Sequence, residues 1–247
     1  MSAIYESDKI LSEYLLFHFG TADEILPPGR SWPAGMREAL DFARRTPAHF
    51  TSGNVPRGMD LGCAVGRSAF EMSATCDEVI GIDFSHAFIR AAEALRNGES
   101  LAYERREEAS ISTRLQAHAG EDIDASKLRF LQGDAMDLPE ELGSFDRVHA
   151  ANLLCRLPEP KRLLERLPSL VKPGGELVLA TPCTWLEEFT PLENWPVGGN
   201  FEWLEQMLTP AFSLQRRAEE SFLIRETARK FQWTTSLVTV WRREAQG

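Results

Sequence analysis

The sequence predicts an α/β fold: a doubly wound, mostly parallel sheet with helices on both faces. Three observations predict it. From residue 58 onward, short apolar runs of strand length alternate with segments of helical period, which is the rhythm of parallel strand–helix–strand units. A glycine-bearing turn, Gly62 to Gly66, stands between the first strand and its helix. Acids stand where the second and third strands end, at Asp83 and Asp134.

In chain order, residues 1–20 read as an amphipathic helix. Ile10, Leu11, Tyr14, Leu15, Phe17 and His18 recur at three- and four-residue spacings, and Gly20 supplies a stop. A second helical segment is expected over 35–45, so that residues 1–50 form a helical cap on a single domain spanning 1–247. Strands follow over 58–61, 78–83, 128–132, 146–152 and 176–181. Helices follow over 67–75, 85–96 with Ser85 as N-cap, and 161–171. In the last of these Leu163, Leu164, Leu167 and Leu170 share one face. Lys172-Pro173-Gly174-Gly175 ends that helix. Residues 201–208 read as a helix, then 212–217 and 237–242 as strands. No clear helix separates those two, which points to a reversed final strand. Residues 97–126 interrupt the rhythm as a polar insertion, either solvated or a flap beside a site.

Composition narrows the function. The chain has 27 Lys and Arg against 37 Asp and Glu, a net charge of −10. That field repels a phosphate backbone, and the basic pairs (Arg44-Arg45, Arg105-Arg106, Arg216-Arg217, Arg242-Arg243) are short and scattered. Nucleic acid is therefore not the expected partner. Cys63, Cys76, Cys155 and Cys183 form no CxxC pair, and no histidine cluster has metal-ligand spacing. The start lacks a basic region followed by an apolar run, and no stretch reaches the ~18 apolar residues of a membrane span. A reduced, cytoplasmic protein with no structural metal and no membrane partner is expected.

The turn Asp60-Leu61-Gly62-Cys63-Ala64-Val65-Gly66-Arg67 lets the backbone approach a ligand closely at Gly62 and Gly66. Asp83 lies 23 positions after Asp60, where a carboxylate can accept both hydroxyls of a ribose. The dinucleotide fingerprint GxGxxG fails, because its third and sixth places are Ala64 and Arg67. Gly133-Asp134-Ala135 forms a third element, suited to an adenine amino group or, in the plain alternative, a turn. The fourth strand delivers Asn152 and Leu153 to its carboxyl end.

At Asp60–Gly66, Asp83, Gly133-Asp134-Ala135 and Lys172–Gly175 the chain resembles the class I S-adenosylmethionine-dependent methyltransferases. The resemblance implies a Rossmann-like sheet of seven strands, the last antiparallel, and S-adenosylmethionine as cofactor. It implies a cofactor site of Asp60, Gly62, Cys63, Gly66, Arg67, Asp83, Phe84, Ser85, Gly133, Asp134, Ala135, Asn152 and Leu153. Longer strings run at 5–9, 13–18, 63–68, 80–89, 151–158, 185–191 and 224–230, among them Glu13-Tyr14-Leu15-Leu16-Phe17-His18 and Asn152-Leu153-Leu154-Cys155-Arg156-Leu157-Pro158. They resemble the 4-mercaptohistidine N1-methyltransferase family, found as a domain of ovothiol synthases or as a free-standing form. That implies methylation of an imidazole nitrogen of 5-thiohistidine to ovothiol A, and a functional link to a separate 5-histidylcysteine sulfoxide synthase. Methylation of another small metabolite, or a non-catalytic cofactor-binding partner of that synthase, are the alternatives.

For such an acceptor, Asn152, His18 and Tyr14 are the expected catalytic residues. Arg225 or Arg156 is expected to hold a carboxylate and Glu187 or Glu226 an ammonium, with Trp185 stacking on a ring. The alternatives are ion pairs among the charges and core packing of the rings.

Overall fold

A seven-stranded sheet forms the centre of the computed structural model, which describes residues 3–120 and 123–245. The strands are β1 (Val55–Leu61), β2 (Cys76–Asp83), β3 (Leu101–Glu108), β4 (Ile111–Ala117), β5 (Leu128–Gln132), β6 (Phe145–Ala151), β7 (Val171–Thr181), β8 (Phe212–Arg225) and β9 (Phe231–Arg243). The helices are α1 (Asp8–Phe19), α2 (Ala22–Ile25), α3 (Phe42–Arg45), α4 (Arg67–Met72), α5 (His86–Arg96), α6 (Pro160–Leu170) and α7 (Asn200–Leu208). The sheet order is β5-β2-β1-β6-β7-β9-β8. All pairings from β5 to β7 are parallel, and β9 runs antiparallel to both β7 and β8. This is the α/β Rossmann-like arrangement expected, with its reversed last strand.

The chain leaves β1 for β2 and β5 on one side and returns to β6 and β7 on the other. The switch of strand order between β1 and β6 opens the crevice where open α/β sheets bind ligands. Side chains alternate across the sheet as a period of two demands. Val79 packs with α1, α4 and α5, whereas Ile80 and Ile82 pack with α6 and α7. The four leucines of α6 have no exposed surface, and each contributes ~1.5–3 kcal/mol of transfer free energy.

Several boundaries differ from the sequence reading. Ser7 caps α1 and Gly20 ends it, but within 35–45 only Phe42–Arg45 is helical. Met36, Ala39 and Leu40 are buried in turns there, so the apolar period reports burial rather than a helix. Within the polar insertion at 97–126, β3 and β4 pair as a separate antiparallel hairpin. Glu121 and Asp122 of that stretch, and Met1 and Ser2 of the first helical run, lie outside the described residues. Strand β7 begins at Val171 and runs through Lys172–Gly175 with a shift of register. The two final strands extend to 225 and from 231, so the intervening residues form the long arms of one hairpin.

Candidate cofactor and acceptor site

The turn after β1 is built from left-handed backbone. Gly62, Ala64 and Gly66 have φ of +70°, +48° and +94°. At Gly66 a side chain is also excluded by space, because a Cβ there would stand 2.8 Å from the Phe130 ring. Ala64 accepts the conformation at a cost of ~1–2 kcal/mol, offset by the hydrogen bond it makes. Its N–H donates to Asp83 Oδ2 at 3.0 Å, while the Ser85 N–H donates to Asp83 Oδ1 at 2.8 Å. Asp83 thus closes β2 with its carboxylate held from two sides. Burial pushes that carboxyl up to about 6, against the opposing pull of these two N–H groups. Ser85 caps α5 by accepting the Phe88 N–H at 3.1 Å.

These strand ends form one wall of a cavity of about 490 Å3, a size suited to a small-molecule ligand. Asp60 and His149 lie in its lining. Asp60 Oδ1 meets His149 Nδ1 at 2.7 Å, and His149 Nε2 meets Thr46 Oγ1 at 3.0 Å. Asp60 Oδ2 is buried with no hydrogen-bond partner. Asn152, at the end of β6, has φ +55°. Its N–H donates to the Ala180 carbonyl at 2.8 Å, and its Oδ1 accepts from Ser236 Oγ at 2.7 Å. Both bonds fix the direction of its amide.

A second part of the lining comes from α1 and the C-terminal hairpin. Ile10, Glu13, Tyr14, Phe17 and His18 line the cavity from one helical face. Tyr14 stacks on His18 with ring centroids 5.9 Å apart, and Phe17 meets His18 edge-on at 5.2 Å. Burial, reinforced by the charge of Arg67, pushes His18 down to about 3, so its ring is neutral. Its Nδ1 is buried and has no hydrogen-bond partner. Burial raises the Tyr14 phenol well above its usual range, so it keeps its proton.

Of the expected site residues, the cavity lining brings together Tyr14, His18, Asp60, Gly62, Cys63, Asp83, Phe84, Ser85, Gly133, Ala135, Asn152, Leu153 and Arg156. Gly66, Arg67, Asp134, Trp185, Glu187, Arg225 and Glu226 do not line it. Arg67 pairs with Glu71 at 2.7 Å and covers the Phe19 ring. Asp134 accepts the N–H of Met136 at 2.9 Å, the turn reading of that acid. Trp185 donates from Nε1 to Asn200 Oδ1 at 2.7 Å and meets Trp203 edge-on. Glu187 is exposed. Arg225 is buried, donating to Glu107 at 2.6 Å and to the Ile25 carbonyl at 2.9 Å. Glu226 pairs with Lys230 at 2.6 Å. Arg156 does face the cavity, its Nη1 on the Thr184 carbonyl at 2.9 Å and its guanidinium over the Phe189 ring at 5.0 Å.

Sequence reasoning missed Glu13, His149, Gln232 and Thr234 in this lining. A signal existed for two of them. His149 is a lone ring in the apolar run Val148–Ala151 of its strand, and Glu13 interrupts an apolar helical stripe. Nothing local marks Gln232 or Thr234.

Residues 59–179 match the family described as Methyltransferase domain. Over that stretch, just under half of its length, the chain is similar to a methyltransferase domain. Its curated relatives include the demethylmenaquinone methyltransferase of Lactococcus lactis subsp. lactis, 32% identical over 49% of this chain and 39% of that protein. Another is the ubiquinone biosynthesis O-methyltransferase of Xanthomonas axonopodis pv. citri, 27% identical over 67% of this chain and 62% of that protein. The chain spans less than half the length of the first curated relatives it matches. Among solved structures it is similar to the N-methyltransferase NodS of Bradyrhizobium japonicum in complex with S-adenosyl-L-homocysteine. That similarity has a TM-score of 0.55 at 16% identity, over 95% of this chain and 99% of NodS, and it shows the shared fold.

S-adenosylmethionine is the cofactor of this methyltransferase fold, and the residues of the domain fit it. The Asp83 carboxylate is oriented by two N–H groups and keeps lone pairs for sugar hydroxyls. The orphaned Asp60 Oδ2 offers an acceptor for a cationic group. The carboxyls of Asp60 and Asp83 suit a positively charged ligand. Among the described residues no helix is long and apolar enough to cross a membrane.

Proposed function

We propose that the chain is a cytoplasmic S-adenosylmethionine-dependent N-methyltransferase that methylates an imidazole nitrogen of 5-thiohistidine, giving ovothiol A. One observation carries this reading. Every string that resembles the thiohistidine family, from 5–9 to 224–230, contributes at least one residue to the cavity lining, including Tyr5, His18, Arg156, Phe189 and Ile224. Two of the seven strings, 63–68 and 80–89, serve the cofactor side, and a likeness that extends over the rest of the lining supports a shared acceptor.

When bound, the cofactor supplies an electrophilic methyl group on a sulfonium. Asp83 and the turn at 62–64 hold the nucleoside, and Asp60 and Asn152 face the methyl-bearing end. The task left to the protein is alignment, which accounts for ~7–11 kcal/mol of such barriers. The attacking ring nitrogen needs a free lone pair. His18, held neutral, places no cation opposite the sulfonium, and its Nδ1 is available to the other ring nitrogen, which fixes the tautomer. The protonated Tyr14 phenol supplies a donor beside it.

The test is mass spectrometry of 5-thiohistidine incubated with the protein and methyl-labelled cofactor. Label on the ring nitrogen is expected, with histidine turned over far more slowly. Equal turnover of histidine and thiohistidine counts against the reading. A second reading, methylation of a different small metabolite, is favoured by relatives that include O-methyltransferases. It predicts label on an oxygen acceptor and none on thiohistidine. Cofactor binding without product from any acceptor would instead indicate a non-catalytic partner of a sulfoxide synthase.

A further inference from the structure

On the cavity face of α1, every residue but one is aromatic, imidazole or aliphatic. The exception is Glu13. Its side chain is 11% exposed, and its Oε1 is buried with no hydrogen-bond partner. The nearest cation is Lys9, one turn back, with Nζ 3.7 Å from that oxygen and a side chain 51% exposed. That is a loose, solvent-screened pair, and such pairs satisfy little of a buried carboxylate. Burial accordingly raises the Glu13 carboxyl above its usual range, with Lys9 pulling the other way and Glu226 adding to the rise. Arg106 contributes a weaker opposing pull. A buried carboxylate oxygen without a hydrogen bond is costly. A residue that keeps one in a ligand cavity does so for a partner that arrives with the ligand.

The position of Glu13 sets which ligand. The residues fitted to the cofactor sit at the carboxyl ends of β1, β2 and β5, around Asp83 and Gly133. Glu13 sits instead on α1, which packs on β8 and β3, and it shares the lining with Ile224, Gln232 and Thr234 of the C-terminal hairpin. We infer that Glu13 is the ammonium subsite for the methyl acceptor, so that the acceptor is a small molecule bearing a primary ammonium group. This rests on the methyltransferase reading and narrows its acceptor to an amine-bearing class. It also relocates the acid expected at Glu187 or Glu226, one exposed and the other engaged by Lys230 and Gln232.

The test uses the full chain saturated with S-adenosylhomocysteine. Four imidazoles are titrated by calorimetry: 5-thiohistidine, histidine, histamine, which has the ammonium but no carboxylate, and imidazole-4-propionate, which has the reverse. The wild type is expected to bind the three ammonium-bearing compounds at least tenfold more tightly than the propionate. Glu13→Gln is expected to abolish that preference while the S-adenosylhomocysteine Kd moves less than twofold. Lys9→Gln is expected to keep it, since Lys9 is only the resting neighbour. A wild type without the preference, or a Glu13→Gln variant that retains it, overturns the subsite. So does Lys9→Gln behaving like Glu13→Gln, which would make the pair a surface ion pair. Should thiohistidine bind with the ammonium preference intact yet receive no methyl group, the thiohistidine reading fails and the ammonium subsite stands.

Discussion

The two walls of the cavity are built by different means. The cofactor wall is made of backbone: strand ends, a turn with three residues at positive φ, and one carboxylate clamped by N–H groups within two residues or across one strand. The wall proposed for the acceptor is made of side chains from segments far apart in sequence, with α1 meeting the hairpin of β8 and β9. A wall of backbone is set by local rules and tolerates little change. A wall of side chains can be rewritten one residue at a time while the sheet beneath stays as it is, which is how one fold hosts many acceptors.

If that contrast is right, the largest effects come from the layer that both walls stand on. His149→Leu removes the partner of Asp60 Oδ1 and leaves both carboxyl oxygens buried without a hydrogen bond. A loss of roughly 3–5 kcal/mol in urea unfolding is expected, the range for stranding one member of a buried polar pair. A loss below about 1 kcal/mol would mean that the Asp60–His149 contact holds nothing together. Arg225→Met tests the acceptor side. Its guanidinium joins Glu107 of β3 to the Ile25 carbonyl, so a stability loss of roughly 1–3 kcal/mol is expected with the acceptor KM unchanged. A raised KM at unchanged stability would return Arg225 to the substrate, where the sequence had placed it.

The same contrast explains how much could be read in advance. The order of strands and helices, the Gly62–Gly66 turn, Ser85 as a cap and the leucine face of α6 all follow from patterns within about ten residues. The acceptor wall does not. Arg225 and Glu226 directly follow Ile224 in the chain, and Ile224 lines the cavity, yet the pleat turns Arg225 into the α2–β3 contact and Lys230 engages Glu226. Charge type pointed to the right chemistry for these residues, but partner choice is a tertiary property. Residues 35–45 failed for a related reason, since burial in turns imitates helical periodicity. The hairpin of β3 and β4 was hidden because its outer face is mostly polar, with Glu104, Arg106, Glu108, Ser112, Arg114 and Gln116 exposed.

Smaller effects separate the walls by cofactor affinity. Asp83→Ala removes the acceptor for two N–H groups and the candidate ribose acid together. A loss of roughly 1–3 kcal/mol in S-adenosylhomocysteine binding is expected by calorimetry, whereas Glu13→Gln leaves that constant alone. Unchanged affinity in Asp83→Ala would take this residue away from the sugar.

The finest distinction is in pH. The Asp83 carboxyl is raised by burial to about 6 from an ordinary 3.8. Between those values the folded chain holds a proton that the unfolded chain has released, so this group's contribution to the stability of the ligand-free protein falls as pH rises through the window. Binding runs the other way. The ionised carboxylate is the form that accepts two hydroxyls, and at pH 5 only about one tenth of it is ionised, so the S-adenosylhomocysteine Kd is expected to rise roughly tenfold from pH 7 to pH 5. Glu13 lines the same cavity, so the reading is the difference from Asp83→Asn, which cannot ionise at this position. That variant is expected to flatten both trends. A wild-type Kd that stays level between pH 7 and 5 would show that the charge on Asp83 is not what grips the nucleoside, and the cofactor wall would then act through its backbone alone.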